Sequence, residues 1–274
     1  MKSAAPETLL RVGGCSIRVP GADPARPALA LIGHGSRDPE GNVQFADFAR
    51  TICRRLGRDA EVGFIDHAEP TLDDALAAAA EGARALTVMP VILFAAGHVK
   101  TDVPEAVARL KGSHPRLPVR VAAHVGIHDD LVSILEDRIC AQIGEACCEV
   151  KDETAILLMG RGSSDPDANG DCVKLARLLW ERARFSVVET CFIGITDPRL
   201  PAGLARCARL GAKRIVVVPW LLFTGILHKR VATILESFRQ ANPGIEVVET
   251  AEIGPDDRLL NVVVRRIADA EAIA

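Results

Sequence analysis

The sequence predicts a duplicated α/β protein, two tandem lobes that each carry a four-stranded parallel sheet with helices on both faces. Three observations predict it. The chain of 274 residues is long enough for two ordinary domains. Short continuous apolar runs alternate with amphipathic stretches, the pattern of a parallel sheet covered on both sides. The chain also repeats itself. ALALIGHGSRDPEGN (28–42) is matched by AILLMGRGSSDPDAN (155–169), and FIDHAEPTL (64–72) by FIGITDPRL (192–200). TVMPVILFAAGH (87–98) is matched by VVVPWLLFTGIL (216–227), and VAAHVGIHDDL (121–131) by VVETAEIGPDDRL (247–259). The offset stays between 126 and 129 over these four landmarks, which points to a tandem duplication.

Taken in order, residues 1–27 are Pro- and Gly-rich, lack the apolar core of a signal peptide, and read as a flexible lead-in. The first lobe spans 28–150. Its strands are ALALIG, AEVGFI, ALTVMPV and VRVAA, each too short for a buried helix. Between them lie the amphipathic runs VQFADFARTICRRL, LDDALAAAAEGAR and VPEAVARL, and DDLVSILEDRICAQI closes the lobe. The second lobe spans 151–274 and repeats this order, with KDE at 151–153 at the join. In sheets of this kind ligands bind outside the carboxyl ends of the strands.

Composition excludes several classes. A net charge of −3 lacks the global basic charge of a nucleic-acid binder. Aromatics are 4% with no Tyr, too few for base-stacking platforms. No apolar run reaches the roughly 18 residues of a membrane helix. The eight cysteines include no CxxC pair, so they read as free thiols of a reducing cytoplasm; Cys147–Cys148 reads as a helix end, with a redox-active pair as the alternative. No GxxxxGK[ST] is present, which removes P-loop ATP chemistry, and GHGSR is not the GxSxG elbow that a Ser36 nucleophile requires.

The chemistry concentrates in the first lobe. His34 follows its first strand, Asp66 its second, and His98 lies in the loop after its third, at spacings of 32 and 32. One strand–helix unit separates each pair, so all three fall on one edge of the sheet. Two imidazoles and a carboxylate there can hold a divalent transition metal with open positions, or accept protons near neutral pH. The same spacing also fits histidines that only cap helices or bond loop carbonyls. In the second lobe His34 becomes Arg161, Asp66 becomes Gly194 and His98 aligns with Leu227, while Gly-x-Gly-Ser, Asn and Pro are kept. The three chemical residues vanish as a set.

Other polar residues read as secondary. His67 follows Asp66, but alternation along a strand sends neighbours to opposite faces. His124 and His128 follow the fourth strand and are candidates for the rim, His114 reads as surface, and His228 stands one residue off the register of His98. GHGSRD and GRGSSD, with Ser36 in the first, are candidate anion cradles at helix N-termini.

GHGSRDPEGN, FIDHAEPTL and PVILFAAGHVKTDVP resemble the ATP-independent class II tetrapyrrole chelatases, in particular the sirohydrochlorin cobaltochelatases. GRGSSDPDAN and PWLLFTGIL resemble the second half of their long, two-lobed members. The resemblance covers residues 28–271 and implies flavodoxin-like, chelatase-like lobes. It implies ATP-independent insertion of cobalt into sirohydrochlorin on the route to cobalamin. Iron insertion for sirohaem, nickel insertion and a non-catalytic tetrapyrrole or metal carrier are the alternatives. A phosphate-ester hydrolase is a further rival, but it lacks a nucleophile or dinuclear site. His34 and His98 match the family's two histidines; its iron-inserting members carry Glu where this chain has Asp66. The substrate is a polycarboxylate, so Arg37, Lys100, Arg161, Lys229 and Arg230 are expected along a cleft between facing lobes, with VILFAAG and WLLFTG against the ring faces. The expected protein is a cytoplasmic monomer with no nucleic-acid or membrane partner.

Overall fold

The structure is a computed structural model. It describes residues 10–13, 15–144, 153–183 and 185–272, with residues 10, 11, 98, 228 and 229 described by their backbone alone. The first repeat follows two short strands, β1 (Leu10–Arg11) and β2 (Ser16–Ile17). It runs β3 (Ala28–Gly33), α1 (Pro39–Leu56), β4 (Ala60–Phe64), β5 (Ala68–Glu69), α2 (Leu72–Ala80), β6 (Leu86–Pro90), a π-helical turn (His98–Asp102), α3 (Val103–Ser113), β7 (Val119–Val121) and α4 (Asp129–Ile143). The second runs β8 (Thr154–Gly160), α5 (Pro166–Ala183), β9 (Val187–Phe192), α6 (Leu200–Arg209), β10 (Arg214–Pro219), α7 (Ile226–Ala241), β11 (Glu246–Glu249) and α8 (Asp257–Ala272).

The two sheets have the same parallel order, β4-β3-β6-β7 in one and β9-β8-β10-β11 in the other. Helices cover both faces, so the central strand β8 is buried along its whole length and reads TAILLMG without polar alternation, and β3 is buried at every residue but its first. Helix α1 begins where Asp38 accepts the Glu40 N–H, takes Pro39 in its first turn, and stops at Gly57 in the left-handed conformation.

Two expectations are revised at the edges. The lead-in is not loose throughout: β2 pairs antiparallel with β4 and adds a fifth strand beside the expected four. The Val62 N–H donates to the Cys15 carbonyl at 2.8 Å, and Ser16 and Arg18 donate to Glu61 at 2.5 and 2.6 Å. The cause is general: β4 would otherwise be an open edge with unpaired backbone groups.

The compact units also cut across the repeats. One unit is 1–126 with 259–274, the other 127–258. Thus α4, the closing helix of the first repeat, belongs with the second sheet. Its Arg138 donates to the carbonyls of Glu252 and Ile253 at 3.2 and 3.0 Å, and Arg182 of α5 bridges to its Glu136 at 2.7 Å. Conversely α8 belongs with the first sheet, where Arg55 donates to Asn261 at 3.2 Å and Arg266 to the Val125 carbonyl at 3.2 Å. Each parallel sheet needs both faces covered, and each takes its last covering helix from the other repeat.

Cys15, Cys53, Cys172, Cys191 and Cys207 are free and buried. Burial pushes the thiols of Cys53, Cys172 and Cys207 up to about 12, so they serve as small core residues rather than nucleophiles. Cys140 departs from the expectation of free thiols: it is exposed near the end of α4 and disulfide-bonded, with its partner outside the described residues. Cys147 and Cys148 also lie outside them. Among the described residues no helix is long and apolar enough to cross a membrane.

Candidate metal centre

β3 and β4 lie side by side with Gly33 opposite Phe64, and the ladder continues past both strands. The Ile65 N–H donates to the Gly33 carbonyl at 3.0 Å, and the Asp66 N–H to the His34 carbonyl at 2.9 Å. The backbone itself therefore holds His34 and Asp66 as neighbours at the carboxyl edge of the sheet. On the other flank of β3 the Val91 N–H donates to the Ile32 carbonyl at 2.8 Å, so the segment 91–98 leaves β6 at the same edge. His98 opens the π-helical turn at the end of that segment; its side chain lies outside the described residues.

The loop after β3 depends on Gly35, whose φ is +86°. A Cβ there would stand 1.8 Å from the Asp66 carbonyl oxygen, so only glycine lets the two loops approach this closely. The turn is then locked by Asn42, which is 1% exposed. Its amide accepts the Ser36 N–H and donates to the Ser36 carbonyl, both at 2.8 Å. The Ser36 hydroxyl accepts the Asp38 N–H at 3.0 Å. Ser163 and Asn169 repeat the same bonds in the second repeat at 3.0 and 2.8 Å, with Gly162 also at φ +86°. The Gly-x-Gly-Ser…Asn signature is therefore turn architecture common to both repeats, and Ser36 belongs to it.

Within this frame the Nδ1 of His34 lies 3.0 Å from the Gly35 carbonyl. A carbonyl only accepts, so Nδ1 carries the proton and Nε2 keeps the lone pair, the tautomer a metal or an incoming proton needs. The Asp66 side chain is partly open, 43% exposed. Arg37, Lys100 and Arg161 are exposed, Arg161 at the end of β8 where the first repeat has His34. Arg230 is exposed on α7, and the side chains of His228 and Lys229 are outside the described residues. Among the described residues no three His, Cys, Asp or Glu side chains already stand close enough to hold an ion.

The structure corrects the reading of His67. Its φ of +63° breaks strand alternation, and its ring lies 6.4 Å from that of His34, centre to centre. Its Nδ1 is 3.2 Å from Asp66 Oδ1. The signal available in the sequence was its place beside Asp66 at a strand end; the torsion that turns it round was not legible. His128 instead caps α4, accepting the Asp130 N–H at 3.1 Å, and His114 ends α3.

The CbiX family model matches residues 28–142 and again 155–270, covering both repeats. The chain belongs to the CbiX family. This CbiX chain is 34% identical over 242 residues to a sirohydrochlorin cobaltochelatase of Priestia megaterium, across 87% of this chain and 78% of that one. It is also 34% identical over 211 residues to a sirohydrochlorin ferrochelatase of the same organism, across 76% of this chain and 78% of that one. The structure of SirB from Bacillus subtilis with Fe3+ shares its fold with a TM-score of 0.77 at 27% identity, covering 89% of this chain and 95% of that one. The two-lobed α/β architecture expected from the sequence is thus the architecture of its relatives.

Proposed function

We propose that this CbiX protein inserts cobalt(II) into sirohydrochlorin without ATP, as a step in cobalamin biosynthesis. One observation carries the reading. The backbone that brings His34 beside Asp66 recurs in the second repeat, where the Gly194 N–H donates to the Arg161 carbonyl at 3.0 Å. On that common frame the donor side chains occur only in the first repeat and change together. The relatives named as sirohydrochlorin chelatases support the substrate.

His34, Asp66 and His98 form the set that receives the metal substrate. A set of so few donors leaves coordination positions open and releases the ion readily. As the metal passes to the macrocycle, each imidazole regains a lone pair. The two lone pairs take up the two pyrrole protons, so one divalent cation enters as two protons leave. Arg37, Lys100 and Arg161 bind the carboxylates of the tetrapyrrole. The protein is read as working in the cytoplasm as a monomer.

Iron is the second reading, favoured by the ferrochelatase of equal identity and the relative's structure with Fe3+. The test is visible absorbance of sirohydrochlorin with cobalt, iron or nickel, each without ATP. Many turnovers, fastest with cobalt, are expected. Faster turnover with iron replaces the cobalt assignment, and a stoichiometric spectral change without turnover makes the protein a carrier.

A further inference from the structure

We propose that His67 is an additional donor to the metal substrate, placed beside His34 by a backbone turn that both repeats share. The inference rests on the chelatase reading above and adds to its donor set a residue that the strand pattern points away.

The turn comes first. His67 has φ +63° and its counterpart Ile195 has φ +65°, so the left-handed torsion belongs to the scaffold and not to the side chain. Ile is a β-branched residue for which this torsion is unfavourable, and the second repeat still adopts it. What differs is the group presented. The second repeat shows solvent an apolar side chain, 56% exposed. The first presents an imidazole that is only 19% exposed and whose ring plane is tilted 44° to that of His34. His67 is thus exchanged together with His34, Asp66 and His98 between the repeats.

Geometry then sets the distances. The Nδ1 of His67 lies 3.2 Å from Asp66 Oδ1, and the same oxygen accepts the His67 backbone N–H at 2.8 Å. With metal–nitrogen bonds of about 2.1 Å, two imidazoles on one ion hold their ring centres about 5 to 6.5 Å apart. The His34–His67 separation of 6.4 Å lies at the wide end of that span, and side-chain rotation closes it. Asp66 then steadies one donor while contributing its own carboxylate.

His67→Ile is the discriminating variant, because the second repeat already carries Ile at this torsion and the fold tolerates it. Co(II) alone, without tetrapyrrole, is titrated into the full-length protein and followed by its ligand-field absorption, with circular dichroism as the check on folding. The expected result is an apparent Kd raised about tenfold or more, with an altered ligand-field spectrum of the bound ion. A spectrum identical to that of the wild type overturns the proposal whatever the affinity, since it shows that no imidazole has been lost. Failure of the chelatase reading shows separately, as absence of sirohydrochlorin turnover by the wild type.

Discussion

Arg58 and Glu271 are 213 positions apart in the chain, and their side chains meet at 2.7 Å. Arg58 is 2% exposed and Glu271 18%. Glu271 also accepts the Thr87 hydroxyl at 2.9 Å, and Arg58 donates to the Pro27 carbonyl as well. Four groups from both ends of the chain thereby close one polar cluster in the unit that carries His34 and Asp66, and helix α8 is pinned to the first sheet.

Removing one partner leaves a buried guanidinium with a single carbonyl. Glu271→Ala is expected to cost about 3 kcal/mol, and Glu271→Gln, which keeps the hydrogen bonds but not the charge, about half as much. Urea unfolding measures both; an Ala variant with an unchanged midpoint refutes the account.

On the proposed mechanism His34→Ala and His98→Ala each remove a metal donor and a proton acceptor, and each is expected to lower kcat by about a hundredfold or more. Circular dichroism of the His34 variant should stay normal, because Gly35 and Asn42 hold its turn, and circular dichroism of the His98 variant is the check that it folds. Asp66→Ala should cost less, about tenfold. Near-normal turnover in a folded variant excludes that residue from the reaction.

Arg161 stands in the second repeat where the first has His34. A guanidinium stays protonated, so it can bind a carboxylate but can neither ligate a cation nor accept a proton. Arg161→Ala is expected to raise KM for sirohydrochlorin about tenfold and to leave the metal dependence unchanged. An unchanged KM with a lower melting temperature would assign Arg161 to a structural ion pair.

Asn42 makes two bonds to the Ser36 backbone from a site 1% exposed. Asn42→Ala should therefore cost about 2–3 kcal/mol and displace His34, lowering stability and turnover together. Asn169→Ala, in the repeat without donors, should lower stability and leave the kcat of the folded fraction intact. Equal loss of kcat in both variants contradicts this.

Asp256 accepts two hydrogen bonds from the Arg258 guanidinium, each 2.9 Å, which hold its carboxyl below its ordinary value. The folded pKa is lowered, so this contribution to stability is complete above the unfolded value, about 3.9, and is lost as pH falls through the lowered one. The difference in unfolding free energy between wild type and Asp256→Asn should be constant at neutral pH and shrink below about pH 4. A difference that grows on acidification has the wrong sign for this pair.

The amino-acid sequence by itself determined the duplication, the parallel strands and the sheet edge at which His34 and Asp66 stand. Continuous apolar runs and a near-constant offset are local, additive signals, and a residue that directly follows a parallel strand emerges at its carboxyl end whatever the helices do. That is why His34 and Asp66 were legible, and why their replacement by Arg161 and Gly194 could be read as the loss of a set. Three features were decided by tertiary structure alone. Ser16–Ile17 of the lead-in became a strand because β4 had an unpaired edge. Helices α4 and α8 were exchanged between the sheets because burying an apolar face rewards any helix that covers it, and pairs such as Arg58 with Glu271 leave no trace in local pattern. His67 turned toward His34 because its φ is set by the loop that packs Gly35 against the Asp66 carbonyl, and one left-handed torsion reverses the side that alternation assigns.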